Sequence, residues 1–165
     1  LEFFAHTIPL FHVTGQGFNR TPSDNRDMLR KLGRDPLVIK YTRIDTIYGL
    51  VNLMDAALDA VPRLPGNTLI LLGQKEDIVP NEAMSAFLAA LPADSCVKVA
   101  RYRSGYHMLL RDLKADVVLG DLAAWMANPE RALPSGADRV KVVSQESGAP
   151  ASLALNCASP TAARP

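Results

Sequence analysis

Two short loops carry the residues that could do chemistry. Gln74-Lys75-Glu76-Asp77-Ile78-Val79-Pro80 sets a pair of carboxylates after one apolar run, and Arg103-Ser104-Gly105-Tyr106-His107-Met108 sets a histidine after another. A carboxylate beside an imidazole has a defined use. It fixes the ring tautomer and stabilises the imidazolium that forms when the other ring nitrogen takes a proton from a nucleophile. Asp77, immediately before Ile78-Val79-Pro80, is the expected acid, with Glu76 as an alternative one position away, and His107 is the expected base. The matching nucleophile would be a serine in a G-x-S-x-G turn. No serine from Ser23 to Ser159 has that frame, and Ser104 lies in the same loop as His107 rather than on a strand-to-helix turn.

The elements around these loops must bring them together. Thr68 to Gly73, TLILLG, is a short apolar run of strand length, and residues 96–102 alternate Val97 and Val99 with Lys98, as a strand with one more exposed face does. Between them, residues 81–91 place Ala83, Met84, Phe87, Leu88 and Leu91 on one helical face, with Asn81 as the expected cap. Residues 112–127 form a further helix, expected to bury Leu113, Val117, Leu119, Leu122 and Trp125. Strand, helix, strand, helix is the order of parallel strands joined by crossovers. Parallel neighbours lie about 4.8 Å apart and place their sites at the carboxyl edge, so Asp77 and His107 can meet there.

Upstream, Ser23 is the expected cap of a helix over residues 24–32, with Gly33 as its stop. Over residues 42–61, Ile44, Ile47, Tyr48, Val51, Met54, Leu58 and Val61 recur every three or four positions and draw one stripe along a helix. Residues 1–18 are apolar and aromatic without a clear period. Nothing before residue 67 reads as a set of sheet strands, yet TLILLG is apolar on both faces and needs a second neighbour, so further strands are expected upstream of Leu1. An opening Leu1 in place of methionine leads to the same expectation. After Pro129 the chain turns rich in Ala, Ser, Pro and Gly, which predicts a mostly disordered tail over residues 129–165.

The residues around the two loops also carry a resemblance. From about Thr21 to Asp138 the chain resembles the monoacylglycerol lipase and lysophospholipase group of α/β-hydrolases, also grouped with serine aminopeptidase-like hydrolases. The likeness rests on LLGQKEDIVP, with Asp77 in the place of the family acid, and on YRSGYHMLLRDL, with His107 in the place of the triad histidine. It implies the α/β fold class, here the C-terminal portion of an α/β-hydrolase. On this reading a helical cap segment spans residues 1–66 and the C-terminal α/β part of the core spans residues 67–128. It implies acyl transfer on a carboxylic ester of the monoacylglycerol or lysophospholipid kind, with no metal or organic cofactor. The nucleophile half is absent from the chain. Losing a nucleophile costs on the order of a millionfold in turnover, so the chain by itself is expected to be inactive. The second expectation is a noncatalytic remnant or interaction module, self-associating through an open sheet edge.

Bulk properties exclude other classes. Eighteen basic and seventeen acidic residues give a formal charge of +1, too little to gather nucleic acid. No apolar run reaches the roughly 18 to 20 residues of a membrane-spanning helix. Cys96 and Cys157 stand far apart, which argues against a disulfide framework or a structural zinc and favours a reduced, cytoplasmic setting. His6 and His12 lack the Asp, Glu or Cys companions of a metal site. Gly15 and Gly17 form only a short G-x-G with no preceding strand expected, which gives a nucleotide-binding reading little support. Asp45, Asp55 and Asp59 read as a solvated helix face, and the apolar stripe beside them could line a lipid pocket or pack against the body.

Overall fold

The computed structural model describes residues 1–15, 19–92 and 97–139. The part that positions the two loops begins at β3, Thr68–Gly73, and runs through α4, Asn81–Ala89, to β4, Val97–Tyr102. β3 and β4 pair in parallel from Thr68 opposite Val97 to Gly73 opposite Tyr102. A parallel pair needs a crossover, and α4 supplies it. The expected cap of α4, Asn81, is instead its first residue: Pro80 holds the cap position without a side-chain bond, and its carbonyl accepts from the Met84 amide at 3.1 Å. Proline suits this place because its fixed φ leads into the first turn.

After β4 a 3₁₀ turn at Leu109–Arg111 leads to α5, Ala115–Ala127. The core joins Ala100, Tyr102, Leu109, Val118, Leu133 and Ala137, with Leu69, Leu71 and Trp125 packed against it. The inward face of α5 differs from the expected one. Val118 and Asp121 are buried, while Leu113, Val117 and Leu119 are exposed. Positions 118, 121, 122 and 125 make one helical stripe, and a carboxylate in its middle hides that stripe from a reading based on hydrophobicity. Asp121 tolerates burial because Tyr102 Oη donates to it at 2.9 Å, the Ser135 amide donates at 3.0 Å, and the Ser135 hydroxyl donates as well. Burial, and then the Asp121 carboxylate, push the Tyr102 phenol far above its ordinary pKa.

Residues 129–139, which composition places in a mostly disordered tail, lie within the described residues and pack against β4. Leu133 and Ala137 bury themselves under β4, and Lys98 Nζ reaches the Arg131 carbonyl and, at 3.9 Å, Asp138. Asp121 and Lys98 add polar bonds to this turn, at the Ser135 amide and the Arg131 carbonyl. Residues 140–165 lie outside the described residues, as do Cys96 and Cys157.

The upstream part is α1, Glu2–Thr7; β1, His12–Thr14; α2, Arg26–Arg34; β2, Tyr41–Arg43; and α3, Ile44–Ala60. β1 and β2 pair antiparallel, His12 opposite Arg43 and Thr14 opposite Tyr41. Neither strand is expected from the sequence, including the one just before Gly15, since three residues are too few to show a period of two. α2 begins later than expected: Asn25 is its cap, accepting the Met28 amide at 3.1 Å, and Ser23 stands outside the helix. Gly33 falls inside the last turn, and Asp35 ends the helix. α3 forms where the stripe predicts a helix, yet none of its residues is buried, and the stripe residues Val51 and Met54 are exposed together with Leu50 and Leu53. Its N-terminal half meets α1, where the His6 ring stands edge-on to Tyr48 at 5.8 Å. Among the described residues no helix is long and apolar enough to cross a membrane.

Candidate active site

The register of β3 and β4 ends both strands level, Gly73 beside Tyr102, so the loops that follow leave the same edge. They then cross at contact distance. A Cβ on Gly73 would lie 2.5 Å from the Gly105 carbonyl oxygen, and one on Gly105 would strike the Leu109 side chain. At Gly73 the atoms in the way are backbone, so only glycine there lets the two loops approach this closely. The crossing is held by Gln74 N donating to Tyr102 O and Lys75 N donating to Gly105 O, both at 2.9 Å. The loops are thereby fixed to each other just before Glu76 and His107.

His107 Nδ1 lies 2.8 Å from Glu76 Oε2. The other oxygen of Glu76 accepts from the Ile78 amide at 2.7 Å and the Val79 amide at 3.1 Å. Burial raises the Glu76 pKa, but the His107 bond and these two amides outweigh it and hold the carboxyl below its ordinary value. An ionised carboxylate can only accept, so Nδ1 is the nitrogen that carries the proton and a neutral His107 has its free lone pair on Nε2. The Glu76 side chain is 18% exposed and that of His107 is 41% exposed, so the carboxylate is sheltered and the ring reaches the surface.

Asp77 is held elsewhere. Its two oxygens lie 3.0 and 3.3 Å from the Thr21 amide, and the hydrogen bond to His107 is made by Glu76. Glu76 thus faces the loop that follows β4, and Asp77 faces residue 21. Two signals in the sequence bear on the choice. Glu76 has the extra methylene needed to reach the next loop, and it can also turn back onto the amides two and three residues ahead.

The backbone around His107 is fixed on both sides. Tyr106 N donates to Asp112 Oδ2 at 2.8 Å, and Met108 N donates to Pro22 O at 2.9 Å. Lys75 Nζ stands over the Tyr106 ring, 5.1 Å from its centre. A cavity of about 270 Å³ opens beside this loop, lined by Tyr102, Ser104, Leu109, Lys114, Val118 and Ser135, with neither Glu76 nor His107 in its wall. The pair therefore lies apart from that cavity.

Residues 1–114 match the hydrolase family described as Serine aminopeptidase, S33. That span takes in both loops and every element through β4. No curated protein matches the chain.

Proposed function

The chain belongs to the serine aminopeptidase family of α/β-hydrolases, and from that premise we propose that Glu76 and His107 are the acid and base of a serine hydrolase that cleaves carboxylic esters. The observation that carries this is the Glu76–His107 hydrogen bond itself: a sheltered carboxylate on Nδ1, with its second oxygen locked by two backbone amides. That arrangement sets the tautomer a general base needs. His107 Nε2 would take the hydroxyl proton of a serine as its oxygen adds to the ester carbonyl. The proton would then pass to the departing alkoxide, and a water would repeat both steps on the acyl-enzyme.

The serine is proposed to come from a segment outside this chain, since no serine here has the G-x-S-x-G frame. An acyl substrate of the monoacylglycerol or lysophospholipid kind follows from the resemblance of LLGQKEDIVP and YRSGYHMLLRDL. The outward apolar stripe of α3, with Leu50, Val51, Leu53 and Met54, supports it as a surface on which an acyl chain could lie.

Two experiments test the reading. Purified residues 1–165 are expected to hydrolyse a p-nitrophenyl ester no faster than a His107→Ala control, and hydrolysis above that control would contradict the need for an outside serine. Sequencing of the coding region upstream of Leu1 is expected to give an in-frame strand, G-x-S-x-G and helix. A stop codon there would favour the noncatalytic module instead.

A further inference from the structure

Residues 21–25 form neither helix nor strand, yet each of the five bonds to one of the two site loops or to the turn that follows them. The Thr21 amide donates to Asp77. The Pro22 carbonyl accepts from Met108 N. Ser23 Oγ donates to Asp112 Oδ1 at 2.6 Å. Asp24 Oδ1 accepts from Leu113 N at 2.8 Å, and Asn25 Nδ2 donates to the Arg111 carbonyl at 3.0 Å. Ser23 is 1% exposed and Asp112 is 7% exposed, so their bond lies in the interior.

Asp112 is the hinge of this arrangement. One oxygen accepts the Ser23 hydroxyl and the other accepts the Tyr106 amide. His107 thus sits between an amide held by Asp112 and an amide held by Pro22, while Asp77, beside Glu76, is held by Thr21. Once the backbone is fixed on both sides of a histidine, the ring has only its own two torsions left. A catalytic group must be held to within about 0.5 Å, and a displacement of about 1 Å can cost a hundredfold in rate.

We propose that Asp112 is a positioning residue that, through Ser23 and the 21–25 segment, sets the His107 ring on Glu76. The proposal rests on the reading of Glu76 and His107 as the acid–base pair. A buried carboxylate with two donors makes strong, charge-assisted bonds, and here both donors belong to segments that must keep register with the His107 loop.

The test is the ring tautomer of neutral His107, read from its ¹⁵N shifts in the 165-residue chain, with circular dichroism as the fold control. In the wild type the proton is expected on Nδ1, and in Glu76→Ala it is expected to move largely to Nε2. Asp112→Ala is expected to shift the tautomer at least half of the way to the Glu76→Ala value, and Ser23→Ala in the same direction by less. Asp112→Asn keeps an acceptor for the Tyr106 amide and is expected to lie nearer the wild type than Asp112→Ala. Folded Asp112→Ala and Ser23→Ala chains with the wild-type tautomer would overturn the proposal. If Asp112→Ala does not fold, an unshifted Ser23→Ala overturns it alone. A wild-type ring with its proton on Nε2 would overturn the acid–base reading, and the proposal with it.

Discussion

At the scale of single residues, Glu76 divides its two oxygens between neighbours of different kinds. Oε1 closes a turn onto the Ile78 and Val79 amides, and Oε2 holds the His107 ring. Both interactions favour the ionised carboxyl over the buried neutral one, so the Glu76 pKa is depressed in the folded chain. A depressed carboxyl contributes stability that is fully present above the unfolded value, about 4.3 for glutamate, and is lost as pH falls through the folded value. The urea midpoint of Glu76→Gln is therefore expected to lie below that of the wild type at pH 6, with the gap closing by pH 3. An equal gap at both pH values would contradict it. That a carboxylate and a histidine meet at this edge was legible from the two loops and the order of elements. Which of two adjacent carboxylates makes the pair was not, because Glu76 and Asp77 share charge and position and differ only in reach and in the side of the loop they face.

At the scale of elements, the Tyr102–Asp121–Ser135 cluster ties β4, α5 and the 133–137 turn together. Asp121→Ala would leave a buried phenol and a backbone amide without their acceptor, at about 1–3 kcal/mol for such groups. A drop of that size in urea-unfolding stability is expected, and a change under about 0.5 kcal/mol would contradict the role given to Asp121. Gly73→Ala tests the loop crossing. Its Cβ would meet backbone atoms of Gly105 and Tyr106, which cannot move aside as a flexible side chain does. About 1–3 kcal/mol of destabilisation is expected, in the range of overpacking, and an unchanged urea midpoint would contradict the close approach. β3 could be read from sequence to the residue, because TLILLG is a clean apolar run ended by glycine. The face of α5 could not, since it depends on a buried aspartate whose partners come from β4 and from a turn fourteen residues further on.

At the scale of the whole molecule, a large apolar surface is left open among the described residues. None of the six residues of β3 is buried, its sheet has two strands, and Leu50, Leu53, Leu113, Leu119 and Met126 face outward. A strand apolar on both faces and paired along one edge is a template for association. The purified chain is expected to bind a hydrophobic dye and to sediment as concentration-dependent oligomers, and a dye-silent monomer at all concentrations would contradict this. The parallel strand–helix–strand plan was legible from the order of apolar runs. The small β1–β2 pair and the docking of residues 129–139 were not, because they rest on three-residue strands and on two apolar residues in a polar stretch.

His107 is held by Glu76 and not by Asp77. The most direct measurement compares the ¹⁵N-detected ring tautomer of His107 in the wild-type chain, Glu76→Ala and Asp77→Ala at a pH where the ring is neutral. A proton on Nδ1 is expected in the wild type and in Asp77→Ala, and its loss from Nδ1 in Glu76→Ala. A proton that stays on Nδ1 without Glu76 and leaves it without Asp77 would instead give the acid role to Asp77.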